Sequence, residues 1–217
     1  AARELSSVSS DVTRQGCVKV ACLGDSNTQG FGLKQASYPN RLRKILLART
    51  TKARWGILGL NFDLRSFGHC GAKVASGNTQ YSQQLAFRQA LKWAAQVYII
   101  MLGTNDAHQV KGKPDRVESA LEALVKKIID KVRDAKVLLI LPPGCSSERC
   151  RENMRCKIFP AIKRVGTKMQ VTVVDPELED KPVYYKDDYI HLSNAGAMRI
   201  AMTTADFVVG MVRVAKK

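Results

Sequence analysis

The sequence predicts an α/β domain: a three-layer α/β/α sandwich around a mostly parallel five-stranded sheet. Three observations lead there. Five short apolar runs alternate with segments of helical periodicity, the pattern of strands joined by crossover helices. Runs such as Val97 to Leu102 are continuously apolar, as in strands buried on both faces. No repeat, linker or low-complexity tract divides the 217 residues, so one domain is expected over 16–217. Residues 1–15 are polar and serine-rich and are expected to form an N-terminal arm.

The first strand is expected over Val18 to Leu23. A helix should follow over Tyr38 to Arg49, where Leu42, Ile45 and Leu46 recur at helical spacing and Pro39 sits near the start. The second strand is placed at Asn61 to Phe67, with Trp55 to Leu60 competing for the role. A helix over Gln80 to Ala95 feeds the third strand, Val97 to Leu102. A long helix over Asp115 to Arg133 feeds the fourth, Val137 to Leu141, which Pro142-Pro143-Gly144 ends. A helix over Glu152 to Arg164, a strand at Val171 to Val174 and a last helix over Ser193 to Val212 complete the pattern.

Composition narrows the class without naming a reaction. The hydrophobic fraction of 45% suits a globular core rather than a disordered chain. The apolar runs fall short of the roughly 20 residues that span a bilayer, so neither a transmembrane segment nor a retained signal peptide is expected. The formal charge of +16 favours an acidic partner. There is no zinc-finger pattern and no specific nucleic-acid motif. Cys22 and Cys70 are expected to be small buried side chains. Cys145, Cys150 and Cys156 crowd one segment, where a disulfide and free thiols are both open; without a CxxC pair or a neighbouring histidine, zinc has little support. The compartment stays open between secreted or luminal and organellar.

In open parallel sheets, ligands bind beyond the carboxyl ends of the strands. Four polar clusters follow the apolar runs there: GDSNTQG, 66-SFGHCGAK-73, 103-GTNDAH-108 and 187-DDYIHLSNAG-196. A serine hydroxyl needs a base and an orienting group to become a nucleophile. Ser26, His191 as base and Asp188 as its orienter fit those roles. His69 and His108 are rival bases, and Asp187 rivals Asp188. The plainer reading is also open: Gly-Asp-Ser-Asn favours turns, GTND suits a helix cap, and Ser193 suits the N-cap of the last helix.

Taken together, Gly24-Asp25-Ser26, Gly71, Gly103-Thr104-Asn105-Asp106 and Asp188-Tyr189-Ile190-His191 resemble the GDSL-type esterase and lipase superfamily, or SGNH hydrolases. The resemblance covers about Val18 to Ala201. It implies a flavodoxin-like fold and a carboxylic ester hydrolase that needs no cofactor or metal. It implies Ser26 as nucleophile, His191 as base and Asp188 as orienter. The oxyanion hole would be the Ser26 N–H, the Gly71 N–H and the Asn105 amide. The family's late block commonly has glycine where this chain has Tyr189 and proline where it has Leu192. Its glycine block often has serine or threonine where this chain has Cys70 and Lys73. Ser37-Tyr38-Pro39 followed by Arg41-Leu42 resembles the opening helix of carbohydrate O-acetyl esterases. The expected partner is thus a small ester, with a carbohydrate O-acetyl group favoured. The alternative, raised by the charge and the polar arm, is a structural subunit of a large basic assembly, ribosome-like and organellar, that keeps an esterase fold.

Overall fold

The computed structural model describes residues 16–52, 59–75, 77–108, 115–179 and 181–214. The expected arm at residues 1–15 and most of the competing strand at Trp55 to Leu60 lie outside them. Five strands form one sheet: β1 (Cys17–Gly24), β2 (Asn61–Gly68), β3 (Val97–Met101), β4 (Lys136–Ile140) and β5 (Thr172–Val174). Their order is β2-β1-β3-β4-β5. Every pairing is parallel, so the expected mostly parallel sheet is wholly so. The chain runs from β1 to one side and then returns past it to β3. The crevice between β1 and β3 is therefore the switch point at which such sheets bind ligands.

Eight α-helices are described: α1 (Ser26–Gln29), α2 (Tyr38–Thr50), α3 (Leu85–Trp93), α4 (Thr104–Ala107), α5 (Asp115–Lys131), α6 (Glu148–Asn153), α7 (Phe159–Met169) and α8 (Asn194–Val214). Alternate side chains of β1 serve opposite layers, as the two-residue period requires. Val20 and Cys22 pack with Tyr38, Leu42 and Leu46 of α2 and with Ala197, Ile200 and Ala205 of α8. Ala21 and Leu23 face Phe87 of α3, Leu121 and Leu124 of α5, and Ala161 and Val165 of α7. Each large apolar side chain so buried contributes about 1.5–3 kcal/mol, and both layers hold many. By length and composition, Asn194–Val212 of α8 is apolar enough to cross a membrane, but half of it is buried in the fold. Its small residues let it lie close against α2 and the sheet.

The helix expected over Gln80 to Ala95 is shorter. Tyr81–Gln83 forms a 3₁₀ turn and α3 begins at Leu85. The Tyr81 N–H donates to the Lys73 carbonyl and its hydroxyl to the Phe67 carbonyl at 2.5 Å. This segment is thus tied to the loop after β2 instead of to its own helix. The helix expected over Glu152 to Arg164 is three pieces: α6, a π-helical turn at Met154–Ile158, and α7. Pro160 has no N–H to return to the turn before it. Ser147 caps α6, its hydroxyl accepting from the Cys150 N–H at 3.3 Å.

The turn that matters most leaves β1. A side chain at Gly68 would strike the backbone of α1, meeting Gln29 N, Gln29 Cα at 2.6 Å and the Thr28 carbonyl carbon at 2.8 Å. Backbone cannot rotate aside as a side chain can. Gly68→Ala should therefore destabilise the fold by about 2 kcal/mol or more and displace α1. Urea unfolding of the two chains checks this; an unchanged midpoint would show that α1 yields freely.

Candidate active site

Ser26 opens α1, directly after β1. Asp25 is the N-cap: its carboxylate accepts the Asn27 N–H at 2.9 Å. Gly30, at φ 89°, closes the helix after one turn and donates its N–H to the Ser26 carbonyl. Gly-Asp-Ser-Asn is thus both the expected turn and a helix start. Ser26 is 8% exposed, enough to present its hydroxyl at the edge of the sheet.

His191 reaches that hydroxyl from the far end of the chain, 165 residues away, with Nε2 3.1 Å from Ser26 Oγ. Its Nδ1 lies 2.7 Å from Asp188 Oδ2. The other Asp188 oxygen accepts the backbone N–H groups of Ile190 at 2.9 Å and His191 at 2.8 Å. Burial opposes the Asp188 charge. The N–H donors and the imidazole outweigh it and hold the carboxyl below its ordinary range. Hydroxyl, imidazole and carboxylate therefore form one hydrogen-bonded row. Such a row can draw a proton from the serine as its oxygen attacks. The rivals fall elsewhere. The ring meets Asp188, not Asp187, and His191, not His69 or His108, meets Ser26. Ser193 does cap α8, accepting the Gly196 N–H at 3.2 Å, so that plainer reading and the row hold together.

Gly71 lies in the loop after β2 at φ 71°. Three anchors fix this loop. Gln29 Oε1 accepts the Cys70 N–H at 2.9 Å. Asn105 Nδ2 donates to the Ala72 carbonyl at 3.0 Å. The Asp106 carboxylate accepts the N–H groups of Val74, at 2.9 Å, and Ala75, at 3.0 Å. An amide nitrogen carries two hydrogens, and Ala72 takes one of Asn105's. Gly103 takes the N-cap position of α4 and Thr104, Asn105 and Asp106 lie within that helix, with the Thr104 hydroxyl donating to the Pro143 carbonyl at 3.1 Å. Cys70 is exposed, contrary to expectation, because its side chain leaves this surface loop instead of entering the core. Cys145 and Cys150 are joined in a disulfide, while Cys156 is free. His108 comes near the pair, but sulfurs bonded to each other offer no thiolate to a metal.

Some contributors carry no signal in a motif. Asn27 is 3% exposed. Its amide donates to the Ile190 carbonyl at 3.2 Å and accepts the Leu192 N–H at 2.9 Å. One side chain next to Ser26 thus clasps the backbone on both sides of His191. Phe31 stacks on the imidazole, with ring centroids 4.3 Å apart. Lys186 Nζ donates to the Phe31 carbonyl at 3.1 Å. Asn27 was visible in the sequence only as a turn residue, since a 163-residue hydrogen bond leaves no local trace.

A match to the GDSL-like lipase/acylhydrolase family extends over residues 22–199. The chain belongs to this family. It is 25% identical to an acetylxylan esterase of Xylanibacter ruminicola over 87% of this chain and 42% of that protein, and so spans less than half of that relative's length. Solved structures share the fold. An acetyl xylan esterase superposes with a TM-score of 0.68 at 21% identity, over 88% of this chain and all of its own. A carbohydrate acetylesterase from Sinorhizobium meliloti gives 0.64 at 18%, over 89% and 99%. The aryl esterase of M. smegmatis gives 0.63 at 17%, also over 89% and 99%. Where the family's late block commonly has glycine, Tyr189 sits at φ 53°. That left-handed conformation costs an ordinary residue about 1–2 kcal/mol and glycine almost nothing.

Two expectations follow for the buried polar groups. Asn27→Leu keeps the volume but leaves the Leu192 N–H and the Ile190 carbonyl without their partner. It should cost about 2–3 kcal/mol of stability and broaden or shift the His191 ring resonances. Urea titration and NMR read both, and an unperturbed imidazole spectrum would refute the clasp. Asp25 is buried, and burial, with the nearby Asp106 charge, pushes its carboxyl up to about 7 against the Asn27 hydrogen bond. A raised carboxyl binds its proton more tightly in the folded chain, so stability falls as pH rises from about 4 through 7. Asp25→Asn keeps the cap acceptor and should remove this decline, by about 2–4 kcal/mol between pH 5 and 8. Unfolding at both pH values, giving the same slope for both chains, would contradict it.

Proposed function

We propose that this chain is a serine carboxylic ester hydrolase acting on short-chain acyl esters, with an O-acetyl group on a carbohydrate as the favoured substrate. The observation that carries the reading is the row from Ser26 through His191 to Asp188, with bonds of 3.1 and 2.7 Å, at the carboxyl edge of the sheet. Family membership over 22–199 supports the reaction class. The carbohydrate preference draws support from the acetylxylan esterase of Xylanibacter ruminicola and from the segment Ser37-Tyr38-Pro39.

In this reading Ser26 Oγ attacks the ester carbonyl as His191 Nε2 takes its proton. Asp188 holds the imidazole with Nδ1 toward the carboxylate and stabilises its positive charge. The oxyanion of the tetrahedral intermediate is met by the Ser26 and Gly71 N–H groups and the Asn105 amide. Their anchored positions favour the tetrahedral oxygen over the planar ester. His191 returns the proton to the departing alcohol, leaving acyl-Ser26. Water, deprotonated by the same imidazole, then releases the acid and restores the serine. None of these steps by this chain's residues calls on a cofactor.

Hydrolysis of p-nitrophenyl acetate by the chain and by Ser26→Ala tests the reading. Loss of the nucleophile should lower kcat at least about 10³-fold. Asn105→Ala should lower it about 10²–10³-fold. A fluorophosphonate should label Ser26. Equal rates for a folded Ser26→Ala chain, or a label mapped to another residue, would refute it.

A further inference from the structure

The fold brings three metal-binding side chains together, none of them part of the catalytic row. Cys145 and Cys150 are five positions apart in the chain, a spacing among those that commonly join two zinc-binding cysteines. The histidine missing from their own segment comes from the end of α4. A ring nitrogen of His108 and the two sulfurs all lie within 4.8 Å of one another. A tetrahedral ion bonded to sulfur at about 2.3 Å and to nitrogen at about 2.0 Å keeps its ligand atoms about 3.6–3.8 Å apart. The sulfurs are now bonded to each other and must part to reach that spacing. Their Cα atoms stand 5.5 Å apart, so rotation about the two Cα–Cβ bonds is enough, and the backbone can stay in place.

His108 is held against the pair by bonds that do not involve the sulfurs. The Thr104 hydroxyl donates to the carbonyl of Pro143, just before Cys145, at 3.1 Å. The Asn153 amide donates to the carbonyl of Ala107, the neighbour of His108, at 2.9 Å. Asn153 is 7% exposed, and a buried polar group gives up its partner at a high cost. Its amide oxygen accepts Lys157 Nζ at 2.8 Å. α4 is thus fastened to the chain before Cys145 and to α6 after Cys150. The Ser147 hydroxyl separately keeps the Cys150 N–H. Opening the disulfide leaves all of these anchors standing.

We propose that Cys145, Cys150 and His108 form a redox-gated site for a zinc-class divalent ion: a disulfide in oxidising surroundings, a metal centre in reducing ones. A dithiol opens it. The Cys145–Cys150 bond breaks and takes up two electrons and two protons, giving two thiols, while the dithiol closes to its own disulfide. The ion then binds both sulfurs as thiolates and releases their two protons to water. Two thiolates balance its double positive charge. The centre is therefore neutral, as suits sulfurs that are each 2% exposed. Thiolate and imidazole ligands favour zinc over magnesium or calcium, which take oxygen ligands. His108 is exposed, so it gives the ion a way in and leaves the fourth position to water. The sulfur–sulfur bond and the sulfur–metal–sulfur bridge close the same short loop, so the start of α6 is tied in both states.

Cobalt(II), which occupies zinc sites and is coloured there, reads the centre directly. The full chain, reduced with dithiothreitol and desalted under argon, should take up a single Co²⁺ saturably. A thiolate-to-cobalt charge-transfer band and the visible bands of tetrahedral cobalt should appear, and Zn²⁺ should bleach them. The oxidised chain should show neither. Cys145→Ser with Cys150→Ser should abolish both, and His108→Ala should weaken uptake at least ten-fold. Serine at Cys17, Cys70 and Cys156 together should leave uptake unchanged. The proposal is overturned by a reduced chain without the bands, by bands that survive loss of Cys145 and Cys150, by uptake indifferent to His108→Ala, or by bands that need the other three cysteines. It is also overturned if reduction abolishes the far-ultraviolet circular dichroism and Co²⁺ does not restore it.

Discussion

The candidate site depends on how tightly the chain turns as it leaves β1. At Gly24 a side chain would meet Thr28 and, at 2.5 Å, the Met101 carbonyl of the neighbouring strand. At Gly68, at the end of β2, a side chain would strike the α1 backbone. The first helical turn is therefore wedged between the ends of β2 and β3, with almost no free volume. Interiors packed this closely transmit displacements instead of absorbing them. The same two contacts that fix Ser26 also set the distance from α1 to the loop carrying Gly71, because Gln29 of α1 holds the Cys70 N–H.

Against that fixed turn, the distant loop has to be brought into register. Asn27 does this by pairing with backbone on both sides of His191. The imidazole is then limited further by Phe31 on its face and Asp188 at its Nδ1. Positioning here comes from buried backbone and amide hydrogen bonds, in which a lost partner leaves an unsatisfied group. Exposed ion pairs such as Lys126–Asp130, by contrast, contribute little. The geometry of the row is thus specified by groups that take no part in proton transfer.

The sheet was legible in the sequence because parallel strands buried on both faces leave continuous apolar runs. All five strands fall within a residue or two of their expected bounds. The clusters of polar residues were legible because the fold rule sends strand ends to one edge. What the sequence could not convey was pairing across long separations. Asp106 was read only as part of GTND, yet its carboxylate anchors the loop that carries Gly71. The helices expected from Gln80 and from Glu152 begin elsewhere for a related reason. Periodicity continues through both segments, while Tyr81 is held by Phe67 of β2 and by Lys73 in the loop after it, and the second helix starts earlier, at Glu148, where Ser147 caps it. Cys70 reads as apolar by type and is exposed because its loop is pinned at the surface.

Two buried carboxylates flank the turn that carries Ser26, and their surroundings divide their roles. Asp106 accepts backbone N–H groups from two residues, which favour its charged form, although burial still raises its carboxyl. Asp25 accepts one, from Asn27, and its second oxygen is buried without a partner among the described residues. Like charges so placed resist ionising together. The proton belongs on the carboxyl with fewer donors, which is Asp25. That assignment suits the chemistry proposed for Ser26. A full negative charge on the residue before the nucleophile would oppose the oxyanion forming on the substrate, whereas a neutral carboxyl keeps its cap bond to Asn27 and imposes no such field. Protonation of Asp25 removes the larger cost, that of a buried charge beside an oxygen without a partner among the described residues.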